Sequence, residues 1–322
     1  MANFDHVISR NDAAALIPED VSPEIIKGVS EMSTVMKLGR RVPDMPRAQR
    51  RMPVLSSLPT AYFVSRSAVG AGGLKRTTEL LWGNKYLNAE EIACIIPIPE
   101  DVLDDVDYDI WGQIRPPIIE EFGRVFDAAV FWGTNAPAAW PLGLLPLAAA
   151  ATPAHTVTDG TGADLYDDLM NENGVIAKIE ADGYMATGHV AAISLRGRLR
   201  GLRDANGNPI FVQDMSARTG YDLDGAPIEF PLNDSWDATQ ALLITGDWNQ
   251  LIYCMRQDIT YKVLDQAVIQ DEAGNITFNL AQQDMVALRC VMRLAWQVPN
   301  PIRKIQPTEA NRWPFSVLLP AA

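Results

Sequence analysis

The amino-acid sequence predicts an α+β fold, and three observations along its 322 residues support that prediction. Apolar residues recur every three or four positions across residues 103–129, which is the spacing of one face of a long helix. Short apolar or alternating segments bounded by Gly, Pro and Asn lie on both sides of that helix, a pattern typical of strands. Hydrophobic residues make up 48% of the chain, which is enough for a large core.

The first 60 residues differ from the rest, because they are rich in proline and carry only one helical pattern, at residues 23–36. The prolines of this segment are Pro18, Pro23, Pro43, Pro46, Pro53 and Pro59. Proline removes backbone donors and interrupts helices and central strands. Residues 1–60 are therefore predicted to form an extended arm, which is ordered only where other surfaces, such as neighbouring subunits, pin it.

Residues 37–51 form a basic segment within an acidic chain. Its cations are Lys37, Arg40, Arg41, Arg47, Arg50 and Arg51. Against them stands only Asp44, so the segment carries +5 while the whole chain carries −13. A basic segment on an acidic body predicts self-association or contact with a polyanion, and we take its arginines as candidates for intersubunit contacts. The acidic balance argues against sequence-specific DNA binding.

Residues 61–66 and 92–98 are predicted strands, separated by a long polar excursion rich in glycine. A hairpin this long with few apolar residues near its tip is marginal alone, so we expect it to lie on another surface. Trp82 and Tyr86 are interpreted as aromatic anchors at an intersubunit contact. Lys75, in the same excursion, is a further contact candidate. It follows three glycines, but their spacing is not that of a phosphate-binding loop.

The long apolar stripe predicts a helix over about 101–132, with acidic residues in its first turns that complement the helix dipole. Pro116 and Pro117 lie inside it. Because proline removes a donor and crowds the preceding turn, a kink or break is expected around Gln113 to Arg115. The alternate acidic residues at 105, 107 and 109 lack the glycine and distal glutamate of a calcium loop.

Beyond the long helix, the pattern is mixed. Residues 163–182 predict a second helical segment interrupted at Asn173 and Gly174, with inward-facing Leu165, Leu169, Ile176 and Ile179. A short helix is predicted at 196–202. Strands are predicted at 189–195, 226–230, 241–246, 251–253, 260–268 and 285–296. The prolines at 299, 301 and 307 are predicted to end regular structure.

No motif for catalysis, metal or cofactor stands out. Cys94, Cys254 and Cys290 lack CxxC spacing and indicate free thiols in a reducing compartment, and the three histidines form no metal-binding pair. Glu120 and Glu121 point about 100° apart on a helix, which is unsuitable for an acid and base pair. The N-terminus has no secretory pattern, and no run of apolar residues is long enough to span a membrane.

The order of these pieces resembles the major capsid proteins of tailed bacteriophages, the Hong Kong 97-like fold. After the basic arm, the excursion and the long helix comes a connection through Gly133 to Pro141-Leu-Gly-Leu-Leu145. Three later segments are similar to turns and a strand of that family: Leu199-Arg-Gly-Leu-Arg-Asp-Ala-Asn-Gly-Asn-Pro-Ile210, Gly225-Ala-Pro-Ile228 and Ile244-Thr-Gly-Asp-Trp-Asn249. Arg256 to Val263 resembles the strand that returns to the family's peripheral domain.

The resemblance implies an arm at 1–60, an extended loop at 61–92, a peripheral domain at 93–186 around a spine helix, an axial domain at 187–258, and peripheral return strands at 259–322. It implies hexamers and pentamers that close an icosahedral shell around double-stranded DNA in a virion, assembled in the bacterial cytoplasm. The implied partners are further copies of the chain, a portal, a decoration protein and DNA held without sequence specificity. No enzyme activity, cofactor or membrane is implied.

The chain departs from the cross-linked branch of that family, in which a loop lysine joins a neighbour's asparagine with help from a glutamate. Lys75 and Lys85 are possible donors, but the acceptor and glutamate positions fall near Asp284 and Val291. The expected shell is therefore non-covalent. The sequence begins at the arm without a long acidic helical segment, so we expect a separate scaffolding protein.

Two other functions stay open at the level of sequence. The first is the shell of a cellular nanocompartment, which resembles the phage fold but encloses enzymes. The second, from a different class, is a soluble hydrolase whose carboxylate site carries no recognisable motif. A hydrolase predicts a small monodisperse particle, whereas either shell predicts very large assemblies.

Overall fold

The computed structural model describes residues 33–64, 75, 77–105, 110–203, 206–208, 221–271 and 273–321. Most of the predicted helix at 23–36, most of the glycine-rich excursion, and the acidic residues at 107 and 109 lie outside these ranges. Mixed helices and strands confirm the α+β prediction. The helices are α1 Thr34–Leu38, α2 Glu100–Asp105, α3 Ile110–Trp132, α4 Leu144–Ala150, α5 Leu165–Met170, α6 Val175–Ala181 and α7 Ile193–Gly201.

Strands fall into two larger sheets and two small ribbons. Their bounds are β1 Arg40–Arg41, β2 Gln49–Leu55, β3 Trp82–Asn88, β4 Glu90–Pro99, β5 Thr156–Thr158, β6 Gly188–Ala191, β7 Tyr221–Leu223, β8 Ala226–Glu229, β9 Leu243–Gly246, β10 Ile252–Leu264, β11 Val268–Gln270, β12 Ile276–Asn279, β13 Met285–Gln297 and β14 Phe315–Leu319. One sheet has the order β1-β10-β13-β4, and the other has the order β5-β14-β9-β6-β8-β7.

Helix α3 packs its apolar face into the same core cluster as the four-stranded sheet. Ile118, Phe122, Phe126 and Val130 recur at four-residue steps and are buried. The same cluster contains the alternate residues of β13, namely Leu288, Cys290, Met292, Leu294 and Trp296. Burying side chains of this size stabilises by about 1.5–3 kcal/mol each. The predicted break at 113–115 is wrong, because α3 is helical throughout Ile110–Trp132. The amide hydrogen bonds that proline removes are outweighed by this packing.

Helices α5, α6 and α7 cover the six-stranded sheet and form a second core cluster with it. The predicted interruption is confirmed, because Gly174 precedes α6, and the four residues predicted to face inward are buried. The strand predicted at 189–195 is shorter than expected: β6 ends at Ala191, and α7 begins at Ile193. Leu195 and Leu199 are then buried from the helix.

The prediction that regular structure ends at the C-terminal prolines is wrong. Strand β14 lies inside the six-stranded sheet, antiparallel to β9 and parallel to β5. Phe315, Val317 and Leu318 are fully buried there. The prolines occupy only the connection before this strand, and a continuous apolar run such as Phe-Ser-Val-Leu-Leu is typical of a central strand.

The predicted hairpin has different strands from those expected. Residues 61–64 form no strand, and β3 pairs instead with β2, so that Leu55 faces Trp82 and Gln49 faces Asn88. The strand predicted at 92–98 is confirmed within β4, but its partner is β13. Pro53 is tolerated in β2 because both strands of a two-stranded ribbon are edges.

Two glycines fix the connection between α3 and α4. Gly133 has a φ of +75°, and a Cβ on Gly143 would collide with the backbone nitrogen of Gly133 and lie 2.6 Å from the carbonyl carbon of Trp132. Two backbones therefore cross here at a distance that only glycine permits.

We expect Gly143→Ala to lower the free energy of unfolding by about 1–3 kcal/mol, because a well-packed backbone crossing must shift to accept a methyl group. Urea unfolding measures this change. Gly197→Ala is the matched control, since Gly197 lies within α7 with open space around it and should gain about 0.5–1 kcal/mol. Equal stability of the two variants would contradict the close crossing.

Candidate assembly surface

His155, His189 and Glu121 are engaged in structural contacts. His155 Nε2 lies 3.0 Å from Asp182 Oδ2, and His189 Nε2 lies 2.9 Å from the carbonyl oxygen of Leu223. Burial lowers the pKa of both imidazoles, that of His189 to about 4. Glu121 accepts hydrogen bonds from Arg124, one of them 2.7 Å long. These residues hold the fold together.

Two further observations concern only the ranges that the structure describes. His, Cys, Asp and Glu side chains do not gather there in threes or more as metal ligands. None of the helices there has the length and apolar character needed to cross a bilayer.

The C-terminal part of the predicted arm is attached to its own subunit. Asp127 of α3 accepts hydrogen bonds from Ser33 Oγ and from the backbone nitrogens of Thr34 and Val35, the latter two at 2.8 and 3.2 Å. These contacts hold the N-terminus of α1, where Ser33 is the N-cap. Residues 33–45 are therefore held against a surface of their own subunit, and further contacts of the arm with neighbouring subunits stay a prediction.

Strand β1 and the residues after it extend this attachment. Arg40 and Arg41 pair in parallel with Ile252 and Tyr253 of β10, so β1 becomes an edge of the four-stranded sheet. Val35 is fully buried, and Met45 is almost fully buried. The segment thus contributes Val35 and Met45 to the core of the subunit, while its charged side chains face outwards.

The basic candidates are spread over the outer side of this segment. Arg41 forms an ion pair with Asp44 at 3.0 Å, and Arg50 donates to the carbonyl oxygens of Pro43 and Asp44. The backbone turn before β2 is held by these bonds. Arg40, Arg47 and Arg51 are exposed. Lys37, also from this segment, pairs with Glu229 of the six-stranded sheet at 2.7 Å.

The β2–β3 ribbon has one face towards the core and one towards solvent. Leu87, on the inner face, is fully buried with Met45, Ile252, Cys254 and Ala295. The outer face carries Trp82 and Tyr86, which are 63% and 44% exposed, and Arg51 lies directly across from Tyr86. The structure therefore brings together three of the eight predicted contact residues, Arg51, Trp82 and Tyr86.

The remaining ribbon lysines differ in their surroundings. Lys85 faces the other side and pairs with Glu309 at 2.6 Å, which ties the ribbon to the C-terminal segment. Lys75 is exposed and lies beyond the ribbon.

The far end of the ribbon presents an apolar cluster that sequence reasoning missed as a contact surface. Phe63 is fully exposed, and the neighbouring exposed apolar residues are Tyr62, Val64, Leu80 and Leu81. The prediction of a strand at 61–66 implies that Tyr62, Phe63 and Val64 pair and pack within the subunit. The available signal was a run of aromatic and aliphatic residues directly before a polar excursion.

A second apolar surface lies between α3 and β4. It is a groove of about 390 Å³. Its lining residues are Cys94, Ile96, Ile114, Pro117, Ile118, Glu121 and Phe122. Ile95 and Ile119 lie next to it and are exposed. One chain therefore carries both an exposed apolar cluster and an apolar groove that its own cluster does not fill.

The chain is similar to known phage capsid proteins over most of its length. A family model described as the phage capsid family matches residues 13–306. The major capsid protein of Staphylococcus phage 80alpha is 28% identical over 303 residues, covering 92% of this chain and 86% of that protein. A solved chain of Microbacterium phage Oxtober96 is 38% identical with a TM-score of 0.84, covering 98% of this chain and all of that one. A solved chain of Mycobacterium phage Bobi is 33% identical with a TM-score of 0.82 at the same coverage.

Proposed function

The chain belongs to the phage capsid family and is a major capsid protein of a tailed phage, and we propose that hexamers and pentamers of it close an icosahedral shell around double-stranded DNA. The observation that carries this proposal is the β2–β3 ribbon, at whose end the large apolar side chains of Phe63, Val64, Leu80 and Leu81 are exposed. Large exposed apolar patches mark sites of protein association. The chain is a virion component.

The Hong Kong 97-like division of the subunit is supported by its two larger sheets. The main core joins α3 and the four-stranded sheet to one face of the six-stranded sheet, and the second core lies on the other face. The four-stranded sheet with α3 would form the peripheral domain, with α3 as the spine helix. The axial domain would be built around residues 187–258, which contain α7 and four strands of the six-stranded sheet. Helices α5 and α6 and the strands β5 and β14, which come from outside that range, would complete it. The extended loop would begin near residue 49, where β2 starts, and the arm would end before it.

In contacts between copies, the ribbon of one subunit would lie over the surface of the next subunit. A two-stranded ribbon gains little stability alone, so seating it on a neighbour both stabilises the ribbon and joins the subunits. We assign the exposed cluster from Tyr62 to Val64 and from Leu80 to Trp82 to this contact. The groove between α3 and β4 is the apolar acceptor that a neighbouring copy offers. The arginines 40, 47 and 51 would lie at the polar rim of the same joint.

The shell would be non-covalent. Asp284, near the acceptor position, lies in a turn with a φ of +47° and has no side-chain amide. Val291, near the glutamate position, is buried within β13 and has no carboxylate, so the acceptor and the base of an isopeptide cross-link are both missing at these positions. Lys85 is already paired with Glu309. We expect shells boiled in denaturing detergent to give one band near 35.4 kDa. A ladder of multimers would overturn this part of the proposal.

Other partners follow from the same function. A separate scaffolding protein, a portal and a decoration protein would complete assembly in the host cytoplasm, where the three free thiols remain reduced. The net charge of −13 disfavours tight binding to packaged DNA, which would be held without sequence specificity.

Negative-stain microscopy and sedimentation of the purified full-length chain test the main proposal. The expected result is shells or rings of capsomers. A stable monomer at high protein concentration, or a small monodisperse particle, would contradict it. Particles from phage-infected cells should contain nucleic acid; protein cargo in place of nucleic acid would favour the nanocompartment.

A further inference from the structure

Cys94 and Cys290 are 196 positions apart in the sequence but face one another in the sheet. They are Cα partners in the antiparallel pairing of β4 with β13. Directly opposed residues in such a ladder have Cα atoms about 4.5–5.5 Å apart. A disulfide requires about 4.4–6.8 Å between its Cα atoms, so the backbone already satisfies the distance.

The two thiols differ in access. Cys290 is fully buried in the main core, whereas Cys94 is half-buried and lines the apolar groove between α3 and β4. Burial raises the pKa of Cys94, and a hydrogen bond from Cys290 partly offsets this rise. Burial and the neighbouring Cys94 raise the pKa of Cys290 to about 11. Cys94 is therefore the thiol that a reagent reaches first, and Cys290 lies directly behind it.

We propose that Cys94 and Cys290 form an oxidation site, at which a peroxide converts the opposed thiols into a disulfide that clips the edge strand β4 to β13. The Cys94 thiolate attacks one peroxide oxygen, the O–O bond breaks, and hydroxide departs as the leaving group. The product is a sulfenic acid on Cys94. The Cys290 thiol then attacks that sulfur, the S–O bond breaks, and water leaves. Two thiols lose two electrons and two protons, and one peroxide becomes two water molecules.

This clip goes beyond the proposed function and does not depend on shell assembly. Only Ala89 separates β3 from β4, so the strand that the clip holds is the one that carries the ribbon. Cross-linking residues so far apart in sequence restricts the unfolded chain strongly. A subunit that meets an oxidant while its groove is still unfilled would thus gain a bond between its ribbon base and its central strand.

The test uses the purified, fully reduced full-length protein. It is treated with hydrogen peroxide, quenched with catalase, blocked with N-ethylmaleimide and mapped by mass spectrometry after digestion. We expect a linked Cys94–Cys290 peptide that has lost two hydrogen atoms, an alkylated Cys254, and a melting temperature that rises and returns with reductant. Cys254, which is fully buried without an opposed thiol, is the internal control.

Variants separate the two steps. In Cys290→Ser, Cys94 should stop at the sulfenic acid, which dimedone captures, while Cys254→Ser should keep the link. Oxidation in denaturant supplies the unstructured reference, in which any two of the three thiols pair and Cys254 takes part in links as often as the others. The proposal is overturned if native Cys94 oxidises without the link, if Cys254 reacts as readily as Cys94, or if Cys94 stays reduced until the protein unfolds.

Discussion

Asp127→Ala is expected to detach residues 33–45 from α3 and to lower the free energy of unfolding by about 3–5 kcal/mol. The carboxylate is fully buried and accepts hydrogen bonds from Ser33, Thr34 and Val35. Removing it leaves buried donors without an acceptor, and each such donor costs about 1–3 kcal/mol. Because β1 and the buried Val35 follow these donors directly, the loss extends to the sheet edge.

Urea unfolding measures the global effect, and hydrogen exchange measures the local one. The amides of residues 34–42 should lose protection in Asp127→Ala before those of β13 do. Asp237→Ala is the matched control, because Asp237 also accepts several hydrogen bonds but lies at the surface. Its expected cost is about 1 kcal/mol. Equal costs for the two variants would contradict the role of Asp127.

The carboxyl group of Asp127 should also make the free energy of unfolding depend on pH. Burial raises the pKa of Asp127 from 3.8 to about 6, although its hydrogen bonds oppose the rise. The folded state therefore holds this proton more tightly than the unfolded state, and the stability it gives is complete below about pH 4 and lost as the pH rises to about 6. A shift of this size corresponds to about 3 kcal/mol.

Asp127→Asn isolates this contribution, because asparagine does not titrate. The stability of the wild type relative to Asp127→Asn should fall between pH 4 and pH 6. His189, whose pKa burial lowers to about 4, acts in the opposite direction over much of the same range. It is present in both proteins, so its effect cancels in the difference. A difference independent of pH would show that Asp127 titrates normally.

The sequence predicts those elements whose partners lie near them or whose pattern is long. The stripe at 103–129 is long enough to identify α3 despite two prolines, and Gly174 marks the break between α5 and α6. Strands 260–268 and 251–253 were predicted separately, but they belong mostly to the single strand β10, in which register shifts near Gln257 interrupt the alternation. Local patterns therefore identify elements better than they identify ends.

Long-range pairing is what the sequence did not reveal. An alternating apolar segment has the same sequence pattern whether it packs inside its own subunit or against a neighbouring one. For that reason the sequence predicts a strand at 61–66, although residues 61–64 form none. The partner of β3 lies in a proline-containing segment that looked like an arm. Likewise, nothing near Cys94 in the sequence indicates Cys290; only the register of β4 against β13 brings the thiols together.

Trp82→Ala is expected to leave the isolated subunit as stable as the wild type and to raise the protein concentration needed for shell assembly by roughly thirtyfold. The side chain is 63% exposed, and a substitution at such a position changes folding stability by less than about 0.5 kcal/mol. A tryptophan at the centre of an interface contributes about 2 kcal/mol or more, and about 1.4 kcal/mol corresponds to a tenfold change in affinity.

Sedimentation velocity over a concentration series measures assembly, and circular dichroism with urea measures folding. Met185→Ala is the matched control, because Met185 is 76% exposed and lies away from the ribbon. Phe63→Ser should behave like Trp82→Ala, whereas Tyr86→Ala should have a smaller effect, since less of its side chain is available to a neighbour. Normal assembly of both Trp82→Ala and Phe63→Ser would place the joint between subunits elsewhere, because two exposed aromatics at the ribbon end cannot both be dispensable if that end is the contact.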